Sequence, residues 1–289
     1  MKISIIVPFL NEEKYIEQCI KSLIDQNFPK NDYEIIFIDN GSHDNSVRIV
    51  KKYPQVKLLL EIKPNPYNAR NKGLMHAKGE IIAFTDADCQ VEKNWLKEIN
   101  TTFTDQQIYA VLGERNFPNK KDICLQAYAD YENTKIEYIQ KYFKAINYIG
   151  FTNNLAIRKK VFDKTGLLVT NLPVNGDVEI IQRVANQFPG KKIIYSPKLK
   201  ILHLEISNLQ TWFKKLRIYG EHNTMYECKS AFKNLNVSQN LKIYYNLSKR
   251  YHIVKKTLVL LLLLGGFVNY GIGKYQYRFK SVFKTKNHE

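Results

Sequence analysis

The sequence predicts an α/β protein with a mostly parallel central sheet flanked by helices, plus a basic, hydrophobic helical extension at the C-terminus. Three observations predict it. Continuous apolar strands alternate with helical segments through residues 1–90, the pattern of a parallel sheet covered on both faces. Clusters of polar and charged residues follow the strands, where such sheets bind ligands. Charge is also uneven. Residues 1–190 carry 25 basic and 23 acidic side chains, whereas residues 191–289 carry 19 and 4, a net of +15. A balanced domain is thus followed by a basic module suited to a polyanion, either nucleic acid or an anionic membrane surface.

In order along the chain, KISIIV (2–7) reads as a buried strand ended by Pro8. The stretch 11–27 has apolar residues at 16, 19, 20, 23 and 24, which is helical spacing, with Asn11 as its expected N-cap. YEIIFID (33–39) is a second strand ending on Asp39, and the next short helix is capped near Asp44 or Ser46. VKLLLEI (56–62) is a third strand, NPYNARNKGLMHA a loop entering a helix, and EIIAFTD (80–86) a fourth strand. Beyond these come a helix over 93–103, a strand over 108–114 and a long Tyr-rich helix over 122–145. NNLAIRKKVFDKTG reads as a strand and a helix stopped by Gly166, and NGDVEIIQRVANQ starts a helix with Asp177 in its first turn. Segments 191–197 and 198–206 read as two strands.

The four cysteines are widely separated and form no CxxC pair, so neither a zinc site nor a disulfide framework is expected. The first residues enter a strand directly, without the apolar core of a signal peptide, and the protein is expected in the cytoplasm.

The fourth strand ends on Asp86 and Asp88. Two carboxylates this close repel one another, and burial sharpens the repulsion unless a cation or polarised ligand lies between them. Hard divalent cations such as Mg²⁺ and Mn²⁺ prefer carboxylate oxygens and share their coordination with substrate phosphates. A solvated Asp-rich turn is the alternative. Because Pro8–Glu12 and Asp39–Ser42 fall at the same edge, the sequence favours a metal site.

The most apolar run is TLVLLLLLGGFVNYGIG (257–273), 17 residues long. As a helix it reaches about 25 Å, somewhat short of a hydrocarbon core of about 30 Å. Basic residues flank both ends: Lys249, Arg250, Lys255 and Lys256 before it, and Lys274, Arg278, Lys280, Lys284 and Lys286 after it. Charge on both flanks suits a segment that dips into or lies on an anionic cytoplasmic membrane face. A full span and a buried core helix remain open.

The ordered set VPFLNEE (7–13), IDNGSHDNS (38–46), NARNKGL (68–74) and AKGEIIAFTDAD (77–88) resembles the family 2 glycosyltransferases of the GT-A fold. A looser likeness continues through FTNNLAIRKKVF (151–162), NGDVEIIQRV (175–184) and HLEISNLQTWFKKLRIYG (203–220). The resemblance implies a GT-A transferase domain over residues 1–225, with a nucleotide-sugar half (1–115) and an acceptor half (116–225), followed by a membrane-prone extension (226–289). It implies an inverting enzyme that moves a sugar from a nucleotide-diphosphate donor, UDP by family habit, to a glycan or lipid-linked acceptor, in the manner of bacterial cell-envelope polysaccharide enzymes. Pro8, Asn11, Glu12, Asp39, Arg70, Asp86 and Asn153 fall at nucleotide-sugar-binding positions. Asp88, Asp86 and His203 fall at metal positions, with Mn²⁺ or Mg²⁺ as cofactor; a strand-end histidine without a ligand is the alternative for His203. Asp177 takes the base position, with Glu179 as second candidate. The family usually carries Glu-Asp there, whereas this chain carries Gly176–Asp177. Asn153 and Asn154 match a substrate-facing strand. The other readings are an inactive relative that binds nucleotide only, and a nucleic-acid binder through the basic C-terminal region. Against the latter, the lysines are dispersed among apolar runs without a recognition motif.

Overall fold

The structure, a computed structural model, describes residues 1–118, 122–143, 150–172, 176–206, 208–227, 237–249 and 251–285. Cys228, Arg250, Lys286, the start of the 175–184 motif and the end of the 122–145 helical stretch lie outside the described residues.

Eight strands form one sheet: β1 (Ile3–Phe9), β2 (Tyr33–Asp39), β3 (Val56–Leu60), β4 (Ile81–Phe84), β5 (Cys89–Val91), β6 (Ile108–Asn116), β7 (Leu155–Arg158) and β8 (Lys192–His203). Their order is β3-β2-β1-β4-β7-β6-β8-β5. The first four are mutually parallel. Direction reverses at β7, which is antiparallel to both β4 and β6; β6 and β8 are parallel, and β5 closes the far edge antiparallel to β8. The helices are α1 (Ile16–Ile24), α2 (Ser46–Val50), α3 (Pro66–His76), α4 (Trp95–Thr102), α5 (Ile123–Phe143), α6 (Lys160–Thr165), α7 (Gly176–Gln187), α8 (Leu209–Glu227), α9 (Val237–Ser248) and α10 (Ile253–Thr285).

Every residue of β1 is buried, as expected of a strand with both faces covered. Ile3, Ile5 and Val7 join Ile16, Ile20 and Leu23 of α1 and Trp95 and Leu96 of α4 in one core. Pro8 does not end β1 but pairs with Ile38 inside it. Ile6 accepts from Thr85 on the β4 side and Phe9 from Asn40 on the β2 side. Pro8, with the parity of Ile6, therefore faces the β4 side, beyond the last β1–β4 pair, where no N–H is needed.

Asn11 is not a helix cap. It sits at φ 57° and spends its Oδ1 on the His43 N–H, while α1 begins only at Ile16 after a turn closed by the Glu12 carbonyl. Asparagine tolerates this left-handed conformation better than other non-glycine residues. The two strands expected over 191–206 are one, β8, with a register jump. Gly113 faces Ser196 but Glu114 faces Lys200, so Pro197 lies in the bulge rather than in a break.

That bulge serves Asn154, which is fully buried at the head of β7. Its amide donates to the carbonyls of Glu114 and Leu199, both at 2.9 Å, and its oxygen accepts from Trp95 Nε1 at 2.9 Å. One side chain thus joins β6, β8 and α4, and both of its amide hydrogens are committed to the backbone.

The chain divides into two compact units. One comprises Met1–Asn116, Ile139–Asn171 and Gly176–Glu205; the other comprises Phe117–Tyr138, Leu172–Asn175 and Ile206–Glu289. The second has its own core of Leu125, Tyr131, Trp212, Ile243, Leu247, Val259 and Leu262. Within it, the apolar run lies in α10, where Lys255–Tyr277 is long and apolar enough to cross a membrane and is 28% buried.

Replacing Asn154 with alanine strands three buried partners and is expected to cost about 3–5 kcal/mol. A fall in the urea midpoint with unchanged slope would register it.

Candidate functional site

The carboxyl ends of β1 and β2 are tied together by their own loops. Ser42 Oγ accepts from the Asn11 N–H, Ser46 Oγ from Glu12, and the Asp44 carboxylate from Glu13. Asp39, at the end of β2, is buried and accepts from the Ser42 N–H at 2.9 Å. Asn40 faces the other way. Its amide donates to the carbonyls of Glu61 and Lys63, and its oxygen accepts from the Asn65 N–H. It therefore anchors Asn65, which caps α3 by accepting from the Tyr67 N–H at 2.7 Å.

Helix α3 delivers Tyr67 and Arg70, three residues apart and on one face. Arg70 is 5% exposed and pairs with Asp86 at 2.6 Å, while its guanidinium lies 5.6 Å from the Tyr67 ring centroid. The Tyr67 hydroxyl accepts from the Gly176 N–H at 2.9 Å. A Cβ on Gly176 would come within 2.8 Å of the Tyr67 ring. Here lies the physical reason for glycine at a position where the resemblance led to a glutamate being expected: the tyrosine ring fills that space. Burial and the nearby Asp177 charge push the Tyr67 phenol up, so it stays a neutral hydroxyl.

Asp177 follows at the start of α7. Part of its surface remains open, but protein encloses the carboxyl on its other sides, and this burial raises its pKa to about 6. Arg70, the Val178 N–H at 2.9 Å and the Thr152 N–H pull the other way without cancelling it. A carboxylate poised there can accept a proton at neutral pH.

The third cluster is made by strand pairing. β5 lies antiparallel to β8 with Cys89 opposite His203, and the Leu204 N–H donates to the Asp88 carbonyl at 2.8 Å. His203 Nε2 thereby comes 3.5 Å from Asp88 Oδ2, both residues buried. Ligand atoms of Asp88, Cys89 and His203 all lie within 4.8 Å of one another. The donor set fits a hard divalent cation through Asp88 and His203. Burial and the charges of Asp88 and Asp86 push the Cys89 thiol up, so it remains protonated and points at Asp88 Oδ1, 3.4 Å away. Asp86 is held by Arg70 and is outside this group.

The clusters share one edge. The buried Cys19 thiol, 3.5 Å from the Asp86 carbonyl, is pushed up by burial and by the charges of Asp88, Asp86 and Glu12 together. Asn153 is buried with its Oδ1 unpartnered, and its carbonyl accepts from Thr85 Oγ1 at 3.0 Å. Glu179 is apart: two residues on from Asp177, it points to another face of α7 and pairs with Arg183 at 2.6 Å. Sequence reasoning missed Tyr67 and Cys89. Tyr67 stood one position into the helix after Asn-Pro, a legible start signal, but its partner Gly176 is 109 residues away.

Comparison with known proteins gives a consistent answer. Glycosyl transferase family 2 matches residues 4–166, more than half of the chain. Glycosyltransferase AglE of Haloferax volcanii is 30% identical over 192 residues, 64% of this chain and 61% of AglE. The poly(ribitol-phosphate) beta-N-acetylglucosaminyltransferase TarS of Staphylococcus aureus is 38% identical over 118 residues, 39% of this chain and 20% of TarS. The chain thus spans less than two thirds of either relative. The structure of TarS residues 1–349 with UDP-GlcNAc superposes with a TM-score of 0.57 at 17% identity, over 97% of this chain and 92% of that one. A mannosyltransferase from Pyrobaculum calidifontis, solved with GDP-Man and Mn²⁺, gives 0.61 at 16% identity, over 97% and 84%. The match over residues 4–166 shows that this chain belongs to glycosyl transferase family 2, and the superpositions show the GT-A fold.

Proposed function

We propose that the protein transfers a sugar, with inversion, from a UDP-sugar to a glycan or lipid-linked acceptor, using Asp177 as general base. The observation that carries this reading is the gathering of Asp39, Arg70–Asp86, Asp88–His203 and Asp177 at one end of the sheet. Residues 1–115 take the donor and residues 116–225 the acceptor. Pro8, Asn11, Glu12 and Asp39 line the base and ribose end. The buried Arg70 Nε, which has no partner, suits a phosphate oxygen, and the unpartnered Asn153 Oδ1 suits a sugar hydroxyl. UDP is favoured by the UDP-GlcNAc complex of TarS, and the test below separates it from GDP.

Asp88 and His203, with Asp86 behind them on Arg70, are the residues that would hold a divalent cation, Mn²⁺ or Mg²⁺. Such a cation, when bound, supplies positive charge for the departing diphosphate. Asp177 removes the proton from the acceptor hydroxyl as its oxygen bonds to the anomeric carbon; the bond from that carbon to the diphosphate oxygen breaks, and the nucleoside diphosphate leaves with the electron pair. Arg70 keeps Asp177 ionised near neutrality while burial keeps it basic. Gly176 is no sign of lost activity, because Tyr67 occupies its space. Glu179, locked to Arg183, is the weaker candidate.

The extension 226–289 is proposed to bring the enzyme to the cytoplasmic, anionic face of a membrane where lipid-linked acceptors lie, in cell-envelope polysaccharide synthesis.

Calorimetric titration should show UDP, but neither GDP nor dTDP, binding with Mn²⁺ and losing affinity with EDTA or in Asp88→Ala. Equal binding in that variant would exclude Asp88 as a ligand.

For Asp177→Asn, turnover should fall by about 10²–10⁴-fold with the nucleotide affinity retained. In the parent protein kcat/KM should drop about tenfold per pH unit below about 6.

Stability should move the opposite way. The folded pKa is raised above the unfolded 3.8, so the fold holds the proton more tightly, and ionising Asp177 costs stability as pH rises from about 4 to about 6. Asp177→Asn should therefore stabilise the protein by about 1–3 kcal/mol at pH 7–8, a gain that vanishes near pH 4. Chemical denaturation at the two pH values reads it directly.

A further inference from the structure

Helix α10 meets the length and apolarity of a membrane span, but its packing against α8 is incompatible with one. Gly266, at the midpoint of Lys255–Tyr277, sits against Trp212 and Leu216 of α8. The two backbones then converge: a Cβ on Gly220 would strike the Tyr270 carbonyl at 2.1 Å, and one on Gly273 the Arg217 carbonyl at 2.0 Å. Arg217 Nε donates to Asn269 Oδ1 at 2.6 Å, and Asn269 is itself buried. Lys214, Lys215 and Arg217 therefore ride alongside the middle of the apolar segment. If α10 crossed a bilayer with α8 attached, these three cations would lie near its midplane, where charged side chains are strongly disfavoured.

The opposite face of α10 is different. Leu261, Leu264, Phe267, Val268, Ile272 and Tyr275 are exposed, between 37% and 70%. Their spacing follows one helical stripe, whereas Val259, Leu262, Gly266, Asn269 and Gly273 form the covered stripe opposite. Lys214 and Arg217 are exposed on α8, and with Leu209, Gln210 and Phe213 they line an open groove of about 630 Å³. An apolar stripe on one helix beside cations on its partner matches the boundary between acyl chains and anionic headgroups.

We infer that the α8–α10 pair is a monotopic membrane-binding element. It lies in the plane of an anionic lipid surface, with the Leu261–Tyr275 stripe in the acyl region, the α8 cations at headgroup level, and both ends of α10 on the same side of the bilayer. The inference rests on the membrane part of the proposed function and fixes its geometry; the transferase chemistry does not depend on it.

The full chain, with Cys124→Ala and Cys228→Ala as background, would carry His252→Cys or Gln276→Cys on either side of the segment. Cys19 and Cys89 are buried and stay silent. A membrane-impermeant maleimide should label both positions in cytoplasm-side-out vesicles from an expression host and neither in intact spheroplasts. One position labelled in each preparation would establish a span and overturn the in-plane geometry while leaving membrane association intact. Absence from the membrane fraction would overturn both, and nucleotide titration would still report separately on the transferase reading.

In purified form, Leu264→Glu with Val268→Glu should lower partition into phosphatidylglycerol-containing vesicles about tenfold or more, with the thermal midpoint unchanged because both side chains are exposed. Undiminished binding by this variant, or a stable dimer that hides the stripe and ignores vesicles, would overturn the proposal.

Discussion

A guanidinium buried to 5% exposure organises the candidate active site. Arg70 cannot shed its charge, so the fold must surround it with anions or polarisable groups. Asp86 supplies the contact at 2.6 Å, Asp177 feels the same charge from α7, and the Tyr67 ring packs beside it. Removing either partner of such a buried pair commonly costs about 3–5 kcal/mol, because the other charge is left uncompensated. The acidic residues at the sheet edge are thus mutually tolerable because one cation sits among them. Asp86 is spent on that cation, which leaves Asp88 to face His203.

The same economy explains the scaffold around the site. Asn40, Asn65 and Asn154 are polar residues at positions where a sequence reader looks for ligand contacts. Each is instead committed to backbone groups: Asn40 to the end of β3, Asn65 to the start of α3, Asn154 to the β8 bulge. Buried backbone carbonyls and N–H groups must be satisfied, and the loops at the carboxyl ends of strands have many that the sheet cannot reach. These asparagines hold α3 in place, and α3 holds Tyr67 and Arg70. Asn153, one residue from Asn154, keeps its oxygen unpartnered, so a single dipeptide holds one side chain committed to the scaffold and one that is not.

The C-terminal unit resolves a conflict in its own composition. A run of leucines argues for hydrocarbon, and the dispersed lysines argue for water and anions. Glycines in α8 and α10 bring the two helices into backbone contact, so the apolar run has one face covered by a charged helix and one face bare. Apolarity measured along the chain cannot reveal that asymmetry, because it appears only once the helix has a neighbour.

The sequence by itself determined the first half of the sheet. Strands β1, β2 and β4 are continuous apolar runs, buried on both faces or nearly so, and local pattern is sufficient when burial is complete; β3, at the sheet edge, is half-exposed and was legible from its apolar run alone. It also determined which residues end those strands, and so placed Asp39, Asp86 and Asp88 at one edge. Tertiary structure alone decided the rest. Strand β5 is three residues long and exists because β8 pairs with it, which is how Asp88 meets His203 from 115 positions away. Gly176 is explained by Tyr67, and the raised pKa of Asp177 by enclosure from segments distant in sequence. Hydrophobic periodicity records what each segment buries; it holds no record of which segment does the burying, and the site chemistry depends on that.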